Sequence, residues 1–254
     1  MAEVVLNRPE KFNALDIETF NALDAAARSI ESDRSVRAVV LSGAGDNFCA
    51  GIDLGVLQGG GQDIARTLLA PVPGSPANLA QRAAYAWREL PVPVLCALKG
   101  IVFGGGFQIA MGADIRYASP DVQLSIMEAK WGLIPDMAIT ATLRHVVAPD
   151  QAKELAFTAG VIDVQQALRL GIVTRIEEDP LASARLLAET IADRSPDAIR
   201  GIKRLINEGW TLSEADALAL EASIQVPLLG AANQVEAVRA NLEKRKAKYV
   251  DEFE

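Results

Sequence analysis

The sequence predicts an α/β protein with a helical C-terminal region. Over the first two-thirds of the chain, short runs of β-branched and other apolar residues alternate with helical patterns, as in folds where helices cover a buried, mostly parallel sheet. After Pro149, helical patterns follow one another almost without a break. Half of the 254 residues are hydrophobic, which is enough for a large core and excludes an intrinsically disordered chain.

Polar or glycine-containing corners separate the elements that are predicted before Pro149. Apolar runs indicate buried strands at 4–6, 37–43, 93–98, 114–119 and 122–125. Helical patterns occupy 15–32, 78–89, 104–112 and 136–147. The segment 55–80 is rich in Gly, Pro and Ala, so we expect a long surface excursion there.

The second part of the chain predicts helices that begin at capping residues. Asp150, Asp163 and Ser195 each precede a helical pattern, and the last amphipathic stretch covers 233–249. A single strand is expected in this part, at 172–177.

The composition excludes several classes of partner. The formal net charge is −8 at pH 7, and no cluster of Lys or Arg relieves it before the last helix, so nucleic acids and anionic membrane surfaces are poor partners. No apolar run approaches the ~20 residues of a membrane span, and the first residues lack the features of a signal peptide. The two cysteines, Cys49 and Cys96, form neither a disulfide framework nor a metal-spaced cluster. We expect a cytoplasmic protein without a bound metal.

The residues of common nucleophilic and nucleotide chemistry are also missing from the sequence. The single histidine, His145, has no Cys or carboxylate at metal spacing, and no Gly-x-Ser-x-Gly elbow or Gly-Lys-Ser/Thr phosphate loop is present. GAGDNF at 43–48 begins like a dinucleotide-binding loop, but Phe48 occupies the place of the third glycine. Carboxylates and backbone amides remain as the groups that can carry chemistry.

Two loops that contain glycine follow two of the predicted strands. The first loop covers 46–54 (DNFCAGIDL), and the second loop covers 99–110 (KGIVFGGGFQIA). Small residues let a ligand approach the backbone closely, and the second loop opens a helix whose free amides favour negative charge. Two amides that converge on one oxygen would form an oxyanion hole. The alternative is that Gly104–Gly106 only permit tight packing of a helix against a strand.

Four separated motifs resemble one protein family in their order and spacing. They are LNRPEKFNAL (6–15), FCAGIDL (48–54), KGIVFGGGFQIAMGADIRYA (99–118) and MEAKWGLIPD (127–136). The resemblance to the crotonase family, which is the enoyl-CoA hydratase/isomerase family, extends over essentially the whole chain. It implies a crotonase-like spiral of strand–strand–helix units over 1–190 and a helical trimerisation region over 191–254. Family members usually carry one strand ahead of the segment AEVVLNRP, so we expect this chain to start at their second strand.

The resemblance also implies a substrate and the residues that bind it. Family members bind acyl-CoA thioesters, need no further cofactor, and usually assemble as homotrimers or dimers of trimers. The amides of Ala50 and Gly105 correspond to the family's two oxyanion-hole positions, which hold the thioester carbonyl as it becomes an enolate. The resemblance assigns the adenine and pantetheine of coenzyme A to Lys11, Phe12, Ala14, Gly51, Ile52, Asp53 and Leu54.

The acid–base residues depart from the pattern of the family's hydratases. Hydratases have one Glu two residues after the three glycines, where this chain has Gln108, and a second Glu at the position of Glu128. Asp136 follows eight residues later, in place of a glycine that is usual in hydratases. This Glu–Asp pair resembles the pair of the family's dienoyl-CoA isomerases, although those enzymes commonly have Asp at the position of Gln108.

Each of these three side chains also has a simpler interpretation. Asp136 could cap a helix, Glu128 could be a solvated connector residue, and Gln108 could be exposed in a first helical turn or could hydrogen-bond a water or the acyl group. We expect the chain to stabilise a thioester enolate and to move a double bond with Glu128 and Asp136 as proton carriers. Hydration of a 2-enoyl-CoA, or acyl-CoA binding with little catalysis, is the alternative.

Overall fold

The computed structural model describes residues 1–59 and 61–251. Its strands are β1 (Ala2–Leu6), β2 (Val39–Gly43), β3 (Val94–Leu98), β4 (Ile101–Phe103), β5 (Ile115–Ala118), β6 (Gln123–Ser125), β7 (Ile162–Asp163) and β8 (Arg175–Ile176). A five-stranded sheet has the order β1-β2-β3-β5-β8 and is parallel throughout. A smaller sheet has the order β4-β6-β7. The predicted α/β class is therefore confirmed.

Helices cover the sheet and make up most of the C-terminal part. They are α1 (Ile17–Ser32), α2 (Leu54–Gly59), α3 (Gly61–Leu68), α4 (Leu79–Glu89), α5 (Gly105–Gly112), α6 (Ile139–Thr142), α7 (Pro149–Thr158), α8 (Val164–Arg169), α9 (Pro180–Ala192), α10 (Pro196–Gly209), α11 (Glu214–Gln225) and α12 (Ala232–Leu242). Short 3-10 helices lie at Pro9–Lys11, Glu128–Trp131 and Val226–Leu228. None of the helices in the described ranges is long and apolar enough to cross a membrane.

The central strands are buried on both faces, as their continuous apolar runs predict. Val39 and Leu41 of β2 belong to the main core with Trp87 of α4, whereas Val40 belongs to a second cluster with Ala184 of α9. Alternate residues of one strand therefore serve two layers of helices. Each large apolar side chain buried in this way contributes about 1.5–3 kcal/mol to stability, so the strand ends that carry the two glycine-containing loops are held firmly.

Several polar contacts tie the C-terminal helices to this core. Lys203 of α10 is buried, and its ammonium contacts the carboxylate of Asp114 at 2.8 Å. The chain after α12 returns to the core, where Arg37 binds the carboxylate of Asp251 (2.6 Å) and Asn233 exchanges two hydrogen bonds with the backbone of Val250 (2.9 and 3.0 Å). The boundary predicted at 190 falls within α9, which packs on the sheet. The assembly role predicted for 191–254 stays a prediction.

Of two sequence predictions before Pro149, one gains detail and one is corrected. The described part of the segment 55–80 is mostly exposed or half-buried, in agreement with the predicted surface excursion. It contains most of α2 and all of α3, which the many glycines and prolines did not reveal. The helix predicted at 136–147 is reduced to α6. Ala138 before it is left-handed (φ 64°), and turns replace the helix after Leu143, because β-branched valines precede Pro149 and proline disfavours helix in the preceding residue.

Three predictions in the C-terminal part are corrected as well. The last helix ends at Leu242 rather than near 249, because the carboxylate of Glu236 accepts a hydrogen bond from the amide of Lys248 (2.8 Å) and folds the chain back. The strand predicted at 172–177 is shortened to β8, and the short β7 was not anticipated. Asp150 does not cap α7, which begins at Pro149, whereas the predicted caps Asp163 and Ser195 are confirmed.

Candidate active site

The two glycine-containing loops meet along their backbones. The amide of Cys49 donates to the carbonyl of Ile101 (3.0 Å), and its carbonyl accepts from the amide of Phe103 (3.0 Å). A Cβ atom built on Gly51 would lie 3.4 Å from the nitrogen of Gly105. The backbone of the first loop therefore packs against the first turn of α5, which the second loop opens.

Three backbone amides near this junction differ in what they bind. The amide of Ala50 donates to the carbonyl of Phe12 (3.0 Å). The amides of Ile52 and Gly105 have no acceptor within residues 1–59 and 61–251. The amide of Ala50, which is predicted to be an oxyanion-hole donor, is thus already used inside the protein. Ile52, two residues later, offers an unused donor next to Gly51 and so beside Gly105.

Gly105 occupies a position that has no room for a side chain. A Cβ atom there would lie 2.8 Å from Cδ1 of Leu15 and 3.0 Å from Sδ of Met137. Both of these side chains are buried. Apolar groups therefore crowd against the start of α5, where a hydrogen bond from the amide of Gly105 would act in surroundings of low polarity and be strengthened.

The residues predicted to bind coenzyme A lie on two adjoining segments, 11–15 and 50–54. The amide of Leu15 donates to the carbonyl of Gly51 (2.8 Å), and the amide of Asp53 donates to the carbonyl of Leu15 (2.9 Å). The structure thus brings the two segments side by side. The seven predicted residues range from exposed (Lys11, Phe12 and Leu54) through half-buried (Ile52 and Asp53) to buried (Ala14 and Gly51).

Arg8 joins these two segments, and Asn13 joins the first of them to the backbone at 44–47; neither residue was predicted. The guanidinium of Arg8 donates to the carbonyl of Ala14 and contacts the carboxylates of Asp16 (3.2 Å) and Asp53 (3.1 Å). The buried side chain of Asn13 accepts from the amide of Arg8 (2.8 Å). The only signal in the sequence was the polar corner NRPEKFN, which does not reveal which of its polar groups point inward.

Glu128 and Gln108 form the polar centre of the site. Nε2 of Gln108 donates to Oε1 of Glu128 (2.6 Å), and Oε1 of Gln108 accepts from the amide of Met137 (2.8 Å). Oε2 of Glu128 is buried and has no hydrogen-bond partner among the described residues. Burial raises the pKa of the Glu128 carboxyl, the negative charge of Asp136 raises it further, and the hydrogen bond from Gln108 acts in the opposite direction.

Asp136 is the second carboxylate at this centre. Its residue as a whole is exposed, yet the protein on one side of its carboxyl desolvates that group and raises its pKa. The charge of Asp136 acts on Glu128, and two neighbouring carboxyls in different surroundings can divide the roles of acid and base between them.

The structure argues against the simpler interpretation of each of these three side chains. Asp136 does not cap α6, whose N-cap residue is Ala138. Gln108 is only 1% exposed, and the atoms at both ends of its amide bind protein groups. Glu128 is half-buried rather than fully solvated. Within the described ranges, no group of three or more His, Cys, Asp or Glu residues is arranged to hold a metal ion.

The raised pKa of Glu128 predicts a stability difference that depends on pH. A carboxyl whose pKa is higher in the folded than in the unfolded protein costs stability when it is ionised, and this cost disappears as the pH falls below the unfolded value. Glu128→Gln should therefore raise stability by about 0.5–2 kcal/mol at pH 7–8, a gain that fades toward pH 4.

Urea unfolding followed between pH 4 and pH 8 would measure this difference. Glu154→Gln, at an exposed position on α7, is the matched control and should show no such gain. An equal gain at pH 4 and pH 8, or a loss of stability at pH 8, would contradict the assignment of Glu128 as a desolvated carboxyl.

Comparison with known proteins finds one family over the whole length of the match. A family model described as enoyl-CoA hydratase/isomerase matches residues 1–252. The chain belongs to the enoyl-CoA hydratase/isomerase family. The crystal structure of an enoyl-CoA hydratase from Bacillus anthracis superposes with a TM-score of 0.91 at 28% identity, over 98% of this chain and 95% of that chain. The predicted crotonase-like fold is therefore confirmed.

Curated relatives in the enoyl-CoA hydratase/isomerase family carry two different activities in their names. A short-chain-enoyl-CoA hydratase of Clostridium acetobutylicum is 32% identical over 250 residues, which cover 97% of this chain and 92% of that protein. The human mitochondrial Delta(3,5)-Delta(2,4)-dienoyl-CoA isomerase is 33% identical over 258 residues, which cover 97% of this chain and 77% of that protein. Overall sequence identity therefore does not indicate which of the two reactions this chain catalyses. The side chains of the site bear on that question more directly.

Proposed function

We propose that this family member moves a double bond within an unsaturated acyl-CoA. The observation that carries this proposal is the pairing of Glu128 and Asp136, two carboxylates whose pKa values are both raised. Isomerisation requires one group to remove a proton from carbon and one group to return a proton to another carbon. Gln108, which cannot exchange a proton near neutral pH, leaves these two carboxylates as the proton carriers.

The proposed reaction begins with the thioester carbonyl at the amides of Ile52 and Gly105. The ionised carboxylate takes a proton from a carbon next to the unsaturated system, and the electron pair moves onto the thioester oxygen. The two amides stabilise the negative charge that develops on this oxygen. The protonated carboxyl then gives its proton to a carbon farther along the acyl chain. The double bond has moved, and the substrate has neither gained nor lost an atom.

Hydration of a 2-enoyl-CoA is the second candidate, and one observation favours it. Oε2 of Glu128 is buried and unpaired among the described residues, and such an oxygen can accept a hydrogen bond from a water that attacks the double bond. Against this candidate, the residue beside Glu128 is the amide of Gln108 rather than a second carboxylate. A single carboxylate orients an attacking water less completely than two.

Product analysis would separate the candidates. The protein would be incubated with a 3-enoyl-CoA, a 3,5-dienoyl-CoA and a 2-enoyl-CoA in separate reactions, and the products identified by mass spectrometry and NMR. Isomerisation yields products of unchanged mass, whereas hydration yields a 3-hydroxyacyl-CoA that is heavier by one water. Efficient hydration with negligible isomerisation would overturn the proposal. Tight acyl-CoA binding with no turnover would indicate a binding protein.

We also propose that coenzyme A is held by the adjoining segments 11–15 and 50–54, with no cofactor beyond the substrate. Arg8 supports this proposal, because it joins Ala14 of one segment to Asp53 of the other. The side chain of Lys11 is exposed beside them and can meet the negative charge of a phosphate group. On the same reasoning as the sequence analysis, we propose that the protein acts in the cytoplasm on acyl-CoA and binds neither nucleic acid nor membrane.

Assembly of the chain is a further part of the proposal. The helices α10–α12 expose large apolar side chains, including Ile202, Ile206, Trp210, Leu218, Val235 and Leu242. In a monomer these side chains remain in contact with water and contribute no hydrophobic stabilisation. A threefold assembly would bury them. We expect sedimentation at micromolar concentration to show a homotrimer or a dimer of trimers. A stable monomer of 27.1 kDa would contradict this expectation.

A further inference from the structure

The amide of Gln108 is fixed in one orientation by protein groups at both ends. Its nitrogen donates to a carboxylate oxygen of Glu128, and its oxygen accepts from the backbone amide of Met137. If the amide were flipped, its oxygen would face the carboxylate of Glu128 and its nitrogen would face the N–H group of Met137, so neither hydrogen bond could form. The side chain is buried, so no water could relieve that mismatch.

This orientation makes the two oxygens of Glu128 unequal. Oε1 is 2.6 Å from Nε2 of Gln108, whereas Oε2 has no partner within the described ranges although it is buried. A hydrogen bond stabilises the charge on the oxygen that accepts it and lowers the affinity of that oxygen for a proton. The proton of Glu128 is therefore carried more readily by Oε2.

The same amide also reaches the segment that carries the second carboxylate. Met137 is the residue after Asp136, and the sulfur of Met137 lies close to the position that a Cβ of Gly105 would occupy. Gln108 itself lies three residues after Gly105 on α5. One side chain therefore connects the helix of the Gly105 amide, the carboxylate of Glu128 and the backbone next to Asp136.

We propose that Gln108 is a positioning residue that presents Oε2 of Glu128 as the proton-carrying oxygen and fixes Asp136 relative to it. This inference rests on the proposed function, since it assigns the geometry of the same proton transfers. A glutamate at 108 would still accept from Met137 but could not donate to Glu128 when ionised, and it would place a second negative charge against that carboxylate. A glutamine does both tasks without titrating.

Two substitutions separate the two hydrogen bonds. Gln108→Met keeps the length of the side chain and removes both bonds, whereas Gln108→Glu keeps the acceptor for Met137 and removes the donor to Glu128. Ser125→Ala is the matched control, because it removes a different buried side-chain hydrogen bond, to the carbonyl of Ala159 (3.1 Å). The kcat, the KM and the pH dependence of kcat/KM for isomerisation would be measured for all three variants.

A positioning role predicts a distinct pattern in these measurements. Gln108→Met should lower kcat about 10²-fold, the cost of small misplacements of reacting groups, with KM changed less than about two-fold. Gln108→Glu should move the acidic limb of the pH profile upward by about one unit or more, because neighbouring carboxylates titrate as a coupled pair. Ser125→Ala should change neither quantity. An unchanged kcat in Gln108→Met, or an unmoved limb in Gln108→Glu, would overturn the inference.

A measurement without turnover keeps this inference separate from the proposed function. The free energy of unfolding would be determined for Gln108→Met, Glu128→Gln and the double variant. Non-additive effects are expected, because the two side chains share a hydrogen bond. Non-additivity in a protein that shows no isomerase turnover would uphold the contact and reject the function. Additive effects would overturn the inference even in an active isomerase.

Discussion

Glu128→Gln and Asp136→Asn are each expected to reduce isomerase turnover by about 10²–10⁴-fold, the usual contribution of a general acid or base. Each substitution replaces a carboxyl by an amide of nearly the same shape, so the proton carrier is lost while the packing is kept. The hydrogen bond from Gln108 can still be accepted by a glutamine oxygen at 128. The measurement is kcat and KM for a 3-enoyl-CoA or a 3,5-dienoyl-CoA over a range of pH.

Acyl-CoA affinity serves as the internal control for these two variants. Binding is assigned to the segments 11–15 and 50–54 and to backbone amides, so the dissociation constant of an acyl-CoA should change less than about five-fold while turnover collapses. The assignment fails if Asp136→Asn leaves isomerisation intact. Strong water addition that is unaffected by this substitution would support the hydratase alternative and leave Asp136 without a catalytic role.

The second large effect is expected at the start of α5. Gly105→Pro removes a backbone donor, and loss of one oxyanion-hole donor typically costs about 10²–10³-fold in kcat. Gly105 is the first residue of α5, a position where proline is compatible with the helix. The added Cβ would still crowd Leu15 and Met137. Gly105→Ala introduces the crowding at Cβ but keeps the N–H group, so a lower kcat in Gly105→Pro than in Gly105→Ala is the result expected from loss of the donor.

The choice between Ile52 and Ala50 requires a change of the backbone itself. Replacing the amide nitrogen of Ile52 by an ester oxygen should lower turnover by about 10²–10³-fold. The same replacement at Ala50 removes the hydrogen bond to Phe12 and should cost mainly stability. Equal turnover of Gly105→Pro and Gly105→Ala, or a larger loss of turnover from the ester at Ala50, would reject the pair formed by Ile52 and Gly105.

The internal hydrogen bond of the Ala50 amide is a property of the site that the sequence does not reveal. Motif and glycine pattern indicate that the first loop belongs to the site, but they do not reveal which amide of CAGID is engaged by another part of the backbone. The Ala50 amide is used by Phe12, whose backbone is left-handed (φ 52°), as is that of Asn13 (φ 56°). Asn often adopts this conformation but Phe rarely does, so the contact between Phe12 and Ala50 is seen only in the three-dimensional structure.

The strands and the long early helices were predictable because their local sequence patterns agree with the way these elements pack in the fold. The apolar runs that became β2 and β3 are continuous because both faces are covered, and α1 and α4 have caps at Asp16 and Asn78. The ends of the C-terminal elements were less predictable, because distant side chains set them. Glu236 ends α12 through a bond to a backbone amide twelve positions away.

The return of the chain after α12 has a consequence for the kinetics of folding. Arg37 and Asp251 are separated by 214 positions, so their contact closes a loop of nearly the whole chain, and it gains nothing until the intervening structure has formed. We infer that it is absent from the folding transition state. Contacts of this kind leave the folding rate almost unchanged and slow unfolding instead. The contact between Arg37 and Asp251 would therefore prolong the lifetime of the folded protein. An unfolding rate that is unchanged in Arg37→Ala would refute this inference.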